Sequence, residues 1–333
     1  MIRIAVVNSK SFGVYTDAIE KLRKLGEVRR IEVPKDYRGK ALAEALKGYH
    51  FIVASVTPYY DREFFEYNKD VLMIVRHGIG YDNIDVKAAE ELGVVVARVP
   101  GWVEREAVAE HTIALMLSAL RFVVQGNNLV REGRWSERAK LVGKELKNLT
   151  VGVIGFGNIG SRVAEILRNG FEAKVLVYDP YVPPEKIKSL GCEPVEKLED
   201  LLRQSDIITL HAVLTPETYH MINEKAFEVM KDGVIIVNTA RGELIDTQAL
   251  IKYIEKGKVA AVALDVVEGE PIGKDHPLLK YNNVIVTPHI AAYTHEALAG
   301  MDEAVVKAIE SYLQGKPIEG LVVYPKNPRR PVN

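Results

Sequence analysis

Two groups of residues have types and spacings that could do chemistry. The first is a glycine turn, GFGNIG from Gly155 to Gly160, followed at roughly 20 residues by an acid, Asp179. In such a turn Gly155 permits a tight bend out of a strand, Gly157 lets the backbone approach a pyrophosphate, and Gly160 lets the next helix pack close to the strand. The N–H groups that open that helix, through Asn158, Ile159 and Gly160, would face the phosphates together with its positive dipole end. Asp179 can accept both ribose hydroxyls and would repel a 2′-phosphate. It favours NAD(H) over NADP(H), with Arg162 the nearby cation that argues the other way. The second group is Arg241, Glu270 and His289, set in the segments NTARGELID, DVVEGEP and PHIAAYT. Hydride transfer to a 2-keto acid needs a cation for the carboxylate and carbonyl oxygen and a proton donor for the alkoxide as it forms. Arg241 and His289 meet those needs, and Glu270 can accept from the other imidazole nitrogen, fixing its tautomer and favouring its charged form.

Each of these residues has a plainer reading. A lone GxGxxG also occurs in methyltransferases, kinases and ordinary turns, and only the flanking strand, helix, strand and acid raise its weight. Arg241 could cap a strand through a surface ion pair, His289 could be structural, and Asp179 could cap the helix after Pro183. Glu268 competes with Glu270 for the supporting role. Among the other histidines, His111 falls on a helix and is expected to be buried or interfacial. His211 and His220 fall in loops of the nucleotide half, with His211 near the cofactor and neither catalytic. No His, Cys and carboxylate cluster has metal-ligand spacing.

The elements that must hold these groups follow from the hydrophobic pattern. Short β-branched runs at 2–7, 27–33, 51–55, 72–75 and 94–97 alternate with helical patterns at 15–25, 39–46, 62–67 and 85–92. That rhythm specifies a parallel, doubly wound sheet. Pro100 and Gly101 break it, and residues 104–124 read as one long buried connector helix that crosses between domains. After a second helical segment and a polar stretch ending near Asn148, a second alternation begins. Its six strands lie at 149–154, 174–178, 206–210, 234–238, 259–264 and 284–287. A last helix, 296–314, is expected to return to the first domain, which makes that domain discontinuous. The chemistry is expected at the carboxyl ends of the second domain's strands, facing the cleft between domains.

Composition is compatible with two α/β domains. The 333 residues carry 44 basic and 45 acidic side chains for a net charge of −1, so no global field favours nucleic acid or an anionic membrane. No apolar run has the length of a membrane span, and the N-terminus lacks the pattern of a cleaved leader. A single cysteine, Cys192, excludes an internal disulfide and suits a reducing cytoplasm.

The quoted segments, with the glycine turn and Asp179, closely resemble those of the D-isomer-specific 2-hydroxyacid dehydrogenase family across nearly the whole chain. The resemblance implies a Rossmann NAD-binding domain at 101–292 and a flavodoxin-like substrate-binding domain at 1–100 plus 293–333. In the family's pattern, Arg241 binds substrate carboxylate and carbonyl, Glu270 supports the histidine, and His289 is the acid/base. The segment RHGIGYDNID matches the family's substrate loop, whose backbone N–H groups around Gly78, Ile79 and Gly80 would hold the substrate carboxylate. AVAEHTIALML places Thr112 near the nicotinamide, the TARG segment brings Thr239 and Ala240 to the cofactor, and Asp265 would accept from the nicotinamide carboxamide.

The implied activity is reversible NAD-dependent reduction of a small 2-keto acid resembling glyoxylate or hydroxypyruvate. D-lactate and D-3-phosphoglycerate dehydrogenases share the apparatus. Related formate dehydrogenases carry glutamine at the Glu270 position, which argues against formate. Tyr59 and Tyr60, in ASVTPYYD, offer aromatic walls rather than an arginine for a phosphate, while the direction of Arg76 and the roles of His77 and Trp102 stay open. No additional regulatory domain is expected after the last helix. A homodimer formed through residues 102–135 is implied, and a relative of another class, an NADH-responsive corepressor, is the alternative to an enzyme.

Overall fold

A computed structural model describes residues 1–330. They form two compact units, one of residues 1–104 with the described residues from Tyr293 onward, the other Arg105–Ala292.

The first unit alternates β1 (Arg3–Val7), α1 (Ala18–Arg23), β2 (Glu27–Ile31), α2 (Gly39–Ala45), β3 (Phe51–Ala54), α3 (Arg62–Tyr67), β4 (Met73–Arg76), α4 (Val86–Glu91) and β5 (Val95–Arg98). These strands are parallel in the order β2-β1-β3-β4-β5, the flavodoxin-type order with its reversal between β1 and β3. Every residue of β3 and β4 is buried, as expected of parallel strands covered on both faces. Asp61 and Asp85 start α3 and α4 by accepting the N–H of Phe64 and Ala88 at 2.8 and 2.9 Å.

The second unit opens with α5 (Arg105–Leu120) and α6 (Val123–Arg131). It continues through β6 (Thr150–Ile154), α7 (Asn158–Phe171), β7 (Lys174–Tyr178), α8 (Pro184–Ser189), β8 (Glu193–Pro194), α9 (Leu198–Gln204), β9 (Ile207–Leu210), α10 (Glu224–Val229), β10 (Val234–Asn238), α11 (Thr247–Glu255), β11 (Val259–Leu264) and β12 (Val284–Val286). Its parallel sheet runs β8-β7-β6-β9-β10-β11-β12, a dinucleotide-binding order with one strand added and the reversal between β6 and β9. The chain then returns to the first unit with α12 (His295–Leu313), which packs on β4 and α1, and β13 (Leu321–Val323), which pairs antiparallel with β5.

Several expectations change. The connector expected at 104–124 ends early, at Leu120, and the second helical segment begins at Val123 as α6, because Phe122 takes a left-handed conformation (φ 55°) between them. α5 lies within the second unit, packed against α7, β10 and β11, and is a core helix of that unit. The second sheet has seven strands rather than six; β8 is two residues long and carries no periodic signal. β13, three residues long, likewise adds an antiparallel edge to a sheet read as parallel. No single helix among the described residues is long and apolar enough to cross a membrane.

Candidate active site

The glycine turn joins β6 to α7. Gly155 has φ +92° and lies so close to the His211 backbone that a Cβ there would meet the His211 carbonyl carbon at 2.6 Å. A Cβ on Gly160 would meet the Gly155 carbonyl oxygen at 2.0 Å, so this glycine sets how closely α7 approaches the strand. Gly157 differs from both: a Cβ there would meet nothing within 4 Å. It is the N-cap of α7, and the amides of Asn158, Ile159 and Gly160 after it have no acceptor within the helix. The turn therefore leaves open space and free N–H groups where a pyrophosphate would need both.

Asp179 follows β7. Its two oxygens accept the N–H of Phe156 at 2.8 Å and of Tyr181 at 2.9 Å, which aims the carboxylate beside the turn and keeps lone pairs for ribose hydroxyls. It does not cap α8, whose N-cap is Pro183. Arg162 is held by Glu106 at 2.8 Å and Glu165 at 2.9 Å, so the cation that could have welcomed a 2′-phosphate is already paired. The donor set fits NAD(H).

At the ends of β10 and β11 the chain brings several expected residues together. Asn238, fully buried at the end of β10, accepts the Ala240 N–H at 2.9 Å and donates to the Arg241 carbonyl at 2.8 Å, shaping the turn that presents Arg241. Gly242 lets this turn abut the loop after β11, since a Cβ there would meet the Glu268 nitrogen at 2.2 Å. Neither belongs to the residues expected to react; an Asn at a strand's last position, two residues before an alanine N–H, is a recognisable side-chain turn signal, whereas Gly242 carries none. Thr112, fully buried on α5, donates to the Val108 carbonyl at 2.7 Å and meets the Thr239 hydroxyl at 2.8 Å, so these two side chains bind each other.

His289 sits in a left-handed conformation (φ 56°) after β12, with its N–H shared between the carbonyls of Asp265 and Thr287 at 2.9 and 3.0 Å. Its Nδ1 meets Oε1 of Glu270, and the other Glu270 oxygen accepts the Val267 N–H at 3.1 Å. An ionised carboxylate only accepts, so the proton sits on Nδ1 and Nε2 is the nitrogen presented to a ligand. Glu268 is occupied elsewhere, by His220 Nε2 at 2.6 Å.

Asp265 holds the His289 turn from below. Its carboxylate accepts the Thr287 hydroxyl at 2.6 Å and the N–H groups of Ile290 and Ala291 at 2.9 and 2.8 Å, with His111 Nε2 3.5 Å away. Burial works to raise its pKa, but these hydrogen bonds outweigh it and hold the carboxyl below its ordinary value. His211 lies beside the glycine turn with Nε2 2.9 Å from the Thr209 hydroxyl, and desolvation pushes it down to about 3, which keeps it neutral.

The expected substrate loop belongs to the first unit. Gly78 (φ 145°) spends its N–H on the Arg76 carbonyl at 2.9 Å, so of the three expected amides only those of Ile79 and Gly80 lack a backbone acceptor. Arg76 is 5% exposed and turned inward, donating to the His77 carbonyl. Tyr60 is fully buried against Phe64; the residue before it, Tyr59, stacks under the Arg38 guanidinium at 5.1 Å. Trp102 is exposed and donates to Glu319 at 3.1 Å.

Comparison with known proteins adds to this geometry. The family model described as D-isomer specific 2-hydroxyacid dehydrogenase, NAD binding domain, matches residues 113–291. A D-3-phosphoglycerate dehydrogenase of Archaeoglobus fulgidus is 42% identical over 309 residues, covering 93% of this chain and 58% of the relative; the chain thus spans about three-fifths of that protein's length. A glyoxylate reductase of Thermococcus litoralis is 37% identical, covering 90% of this chain and 91% of the relative. The solved D-lactate dehydrogenase from Aquifex aeolicus, complexed with NAD and lactic acid, superposes with a TM-score of 0.85 at 32% identity over 97% of this chain and all of that one.

Proposed function

The chain belongs to the NAD-dependent D-isomer-specific 2-hydroxyacid dehydrogenase family, and from that premise we propose that it reversibly reduces a small 2-keto acid of the glyoxylate or hydroxypyruvate type. The observation that carries this reading is the His289–Glu270 contact beside the Arg241 turn. When bound, the nicotinamide supplies or takes the hydride at C2 of the acid. Arg241 holds the carboxylate and polarises the carbonyl, and His289, its ring oriented by the Nδ1 contact with Glu270, gives its Nε2 proton to the carbonyl oxygen. Oxidation of the D-hydroxy acid takes that proton back. Ile79 and Gly80 hold the substrate carboxylate by their N–H groups, and residues 1–100 with 293–333 serve as the substrate domain.

The inward Arg76 supports a small acid over a phosphorylated one, because its guanidinium is committed to a loop carbonyl. We assign the protein to a homodimer built on the residue 102–135 segment. α6 buries none of its residues, and Val130 and Trp135 are 52% and 63% exposed. A reducing cytoplasm suits the one buried thiol, Cys192, which burial pushes up to about 11.

The test is NADH oxidation with glyoxylate, hydroxypyruvate, pyruvate and phosphohydroxypyruvate. Turnover best with one of the first two, and a roughly 10²–10⁴-fold loss in His289→Ala with NADH affinity kept, is the expected result. Preference for phosphohydroxypyruvate or pyruvate would overturn the substrate assignment. No turnover with any of the four would leave a dinucleotide-governed binding protein.

A further inference from the structure

The loop that starts at Arg76 is fixed by side chains as well as backbone. The His77 N–H donates to the Ala54 carbonyl at 2.9 Å, and its own carbonyl accepts the Arg76 guanidinium. The Gly78 carbonyl accepts the Val99 N–H at 3.2 Å, and the Ile79 carbonyl accepts Arg98 Nη1 at 3.1 Å. Arg76 and Arg98 are register partners at the last positions of β4 and β5, so two guanidinium groups reach the loop carbonyls from one sheet edge. With the carbonyls drawn to these donors, the Ile79 and Gly80 N–H groups are turned elsewhere, as in a backbone nest for an anion.

The side chain of His77 is tied to a different element. Its Nε2 lies 2.9 Å from Oδ1 of Asp302 on α12, and the two side chains are only 3% and 1% exposed. Oδ2 of Asp302 accepts the Gly13 N–H at 2.9 Å and the Thr16 hydroxyl at 2.6 Å, while the Phe12 ring meets the His77 ring edge-on at 5.2 Å. Asp302 interrupts an otherwise apolar face, between Leu298, Met301, Val305 and Val306, where an aliphatic residue would pack without desolvating a charge. A buried pair of this kind seldom improves stability over apolar packing of equal volume, so its use here is geometric.

We propose that Asp302, acting through His77, is a positioning residue that holds the Ile79 and Gly80 amides in the orientation that receives the substrate carboxylate. This rests on the reading that the loop binds the carboxylate of a 2-keto acid. α12, more than 200 residues away in sequence, and the turn after β1 thereby set the geometry of a loop at the carboxyl edge of the same sheet.

Asp302→Asn keeps the side-chain volume and removes the charge. It should raise both KM for glyoxylate and the inhibition constant of oxamate about tenfold, while kcat, its pH profile and NADH affinity change by no more than about twofold. Thr16→Val should move the same constants in the same direction by about threefold. Because the two groups act in series, adding His77→Asn to Asp302→Asn should add little. Unchanged KM and oxamate inhibition in a folded Asp302→Asn protein would overturn the proposal, as would a loss confined to kcat and thermal stability. If Asp302→Asn does not fold, the same readouts on Thr16→Val decide. Backbone amide resonances of Ile79 and Gly80, followed during oxamate titration, separate the two readings. Shifts weakened by the substitution would support the positioning role even if no keto acid turned over, and would leave only the reaction reading to fail. Absence of any oxamate shift at those amides in the unsubstituted protein would overturn the positioning role itself.

Discussion

In the proposed reaction His289 and Glu270 divide one task between them: the imidazole moves the proton, and the carboxylate at Nδ1 decides which nitrogen faces the substrate. Glu270→Gln keeps the hydrogen bond and removes the charge. Its amide can bond the ring in either tautomer, so the ring orientation is less fixed and turnover with glyoxylate should fall about 10–100-fold; an unchanged kcat would remove Glu270 from this role. Asp265 gives a prediction in pH. Its depressed pKa means that the stability it contributes is complete above its ordinary value of 3.8 and is lost as pH falls through the lower folded value. In urea unfolding below pH 4, the unsubstituted protein should lose stability more steeply than Asp265→Asn, and parallel curves would contradict the hydrogen-bond account. Arg241, Glu270, His289 and Asp179 could be named from their types and from the segments around them. Asn238 carries a local turn signal at the end of its strand, but Gly242 and Asp302 could not be named, because what they do depends on the atom each one meets.

At the scale of elements, the glycine turn separates what folding needs from what the cofactor needs. Gly160→Ala would drive a methyl group into the Gly155 carbonyl and push α7 off β6, a core distortion of the kind that costs about 2 kcal/mol or more. Gly157→Ala meets open space and has φ −74°, so its melting temperature should stay within a degree or two, while NADH affinity falls because the methyl group occupies the cofactor's approach. Calorimetry and NADH titration on the pair test this, and equal losses of stability would refute the distinction. Strands and helices with long runs or side-chain caps, such as β10 or α3 behind Asp61, were legible from the sequence. The place of the break between α5 and α6 was not, since apolar spacing continues past the left-handed Phe122. The strands β8 and β13 are too short for periodicity, and neighbouring strands recruit them.

At the scale of the molecule, α6 is the open account: a helix with no buried residue that carries Val123, Val124 and Val130 to solvent. In the proposed homodimer these side chains are covered by a second copy. Sedimentation should then show a dimer, and Val130→Asp should shift it toward monomer by destabilising the interface about 2 kcal/mol or more. A monomer at micromolar concentration in the unsubstituted protein would overturn the assignment. Within the first unit, Arg329 performs a related closing function. Its guanidinium donates to the carbonyls of Phe65, Asn68, Val71 and Leu92 at 2.7 to 3.1 Å, tying the chain's end to the ends of α3 and α4.

The sequence by itself determined the α/β rhythm and the dinucleotide turn, and it singled out Asp179, Arg241, Glu270 and His289 as the residues of the proposed site. Those signals depend on hydrogen bonds and spacings within a few residues, or on segments that stay contiguous. Tertiary structure alone decided that Tyr60 is core and that Arg76 points inward. It also decided that Gly78 spends its amide on its own loop, and that Asp265 and Asp302 act from beneath the groups they hold. The physical reason is separation along the chain. His77 and Asp302, or His111 and Asp265, meet only after the sheets have formed, and no local pattern records the direction in which a buried side chain will then find its partner.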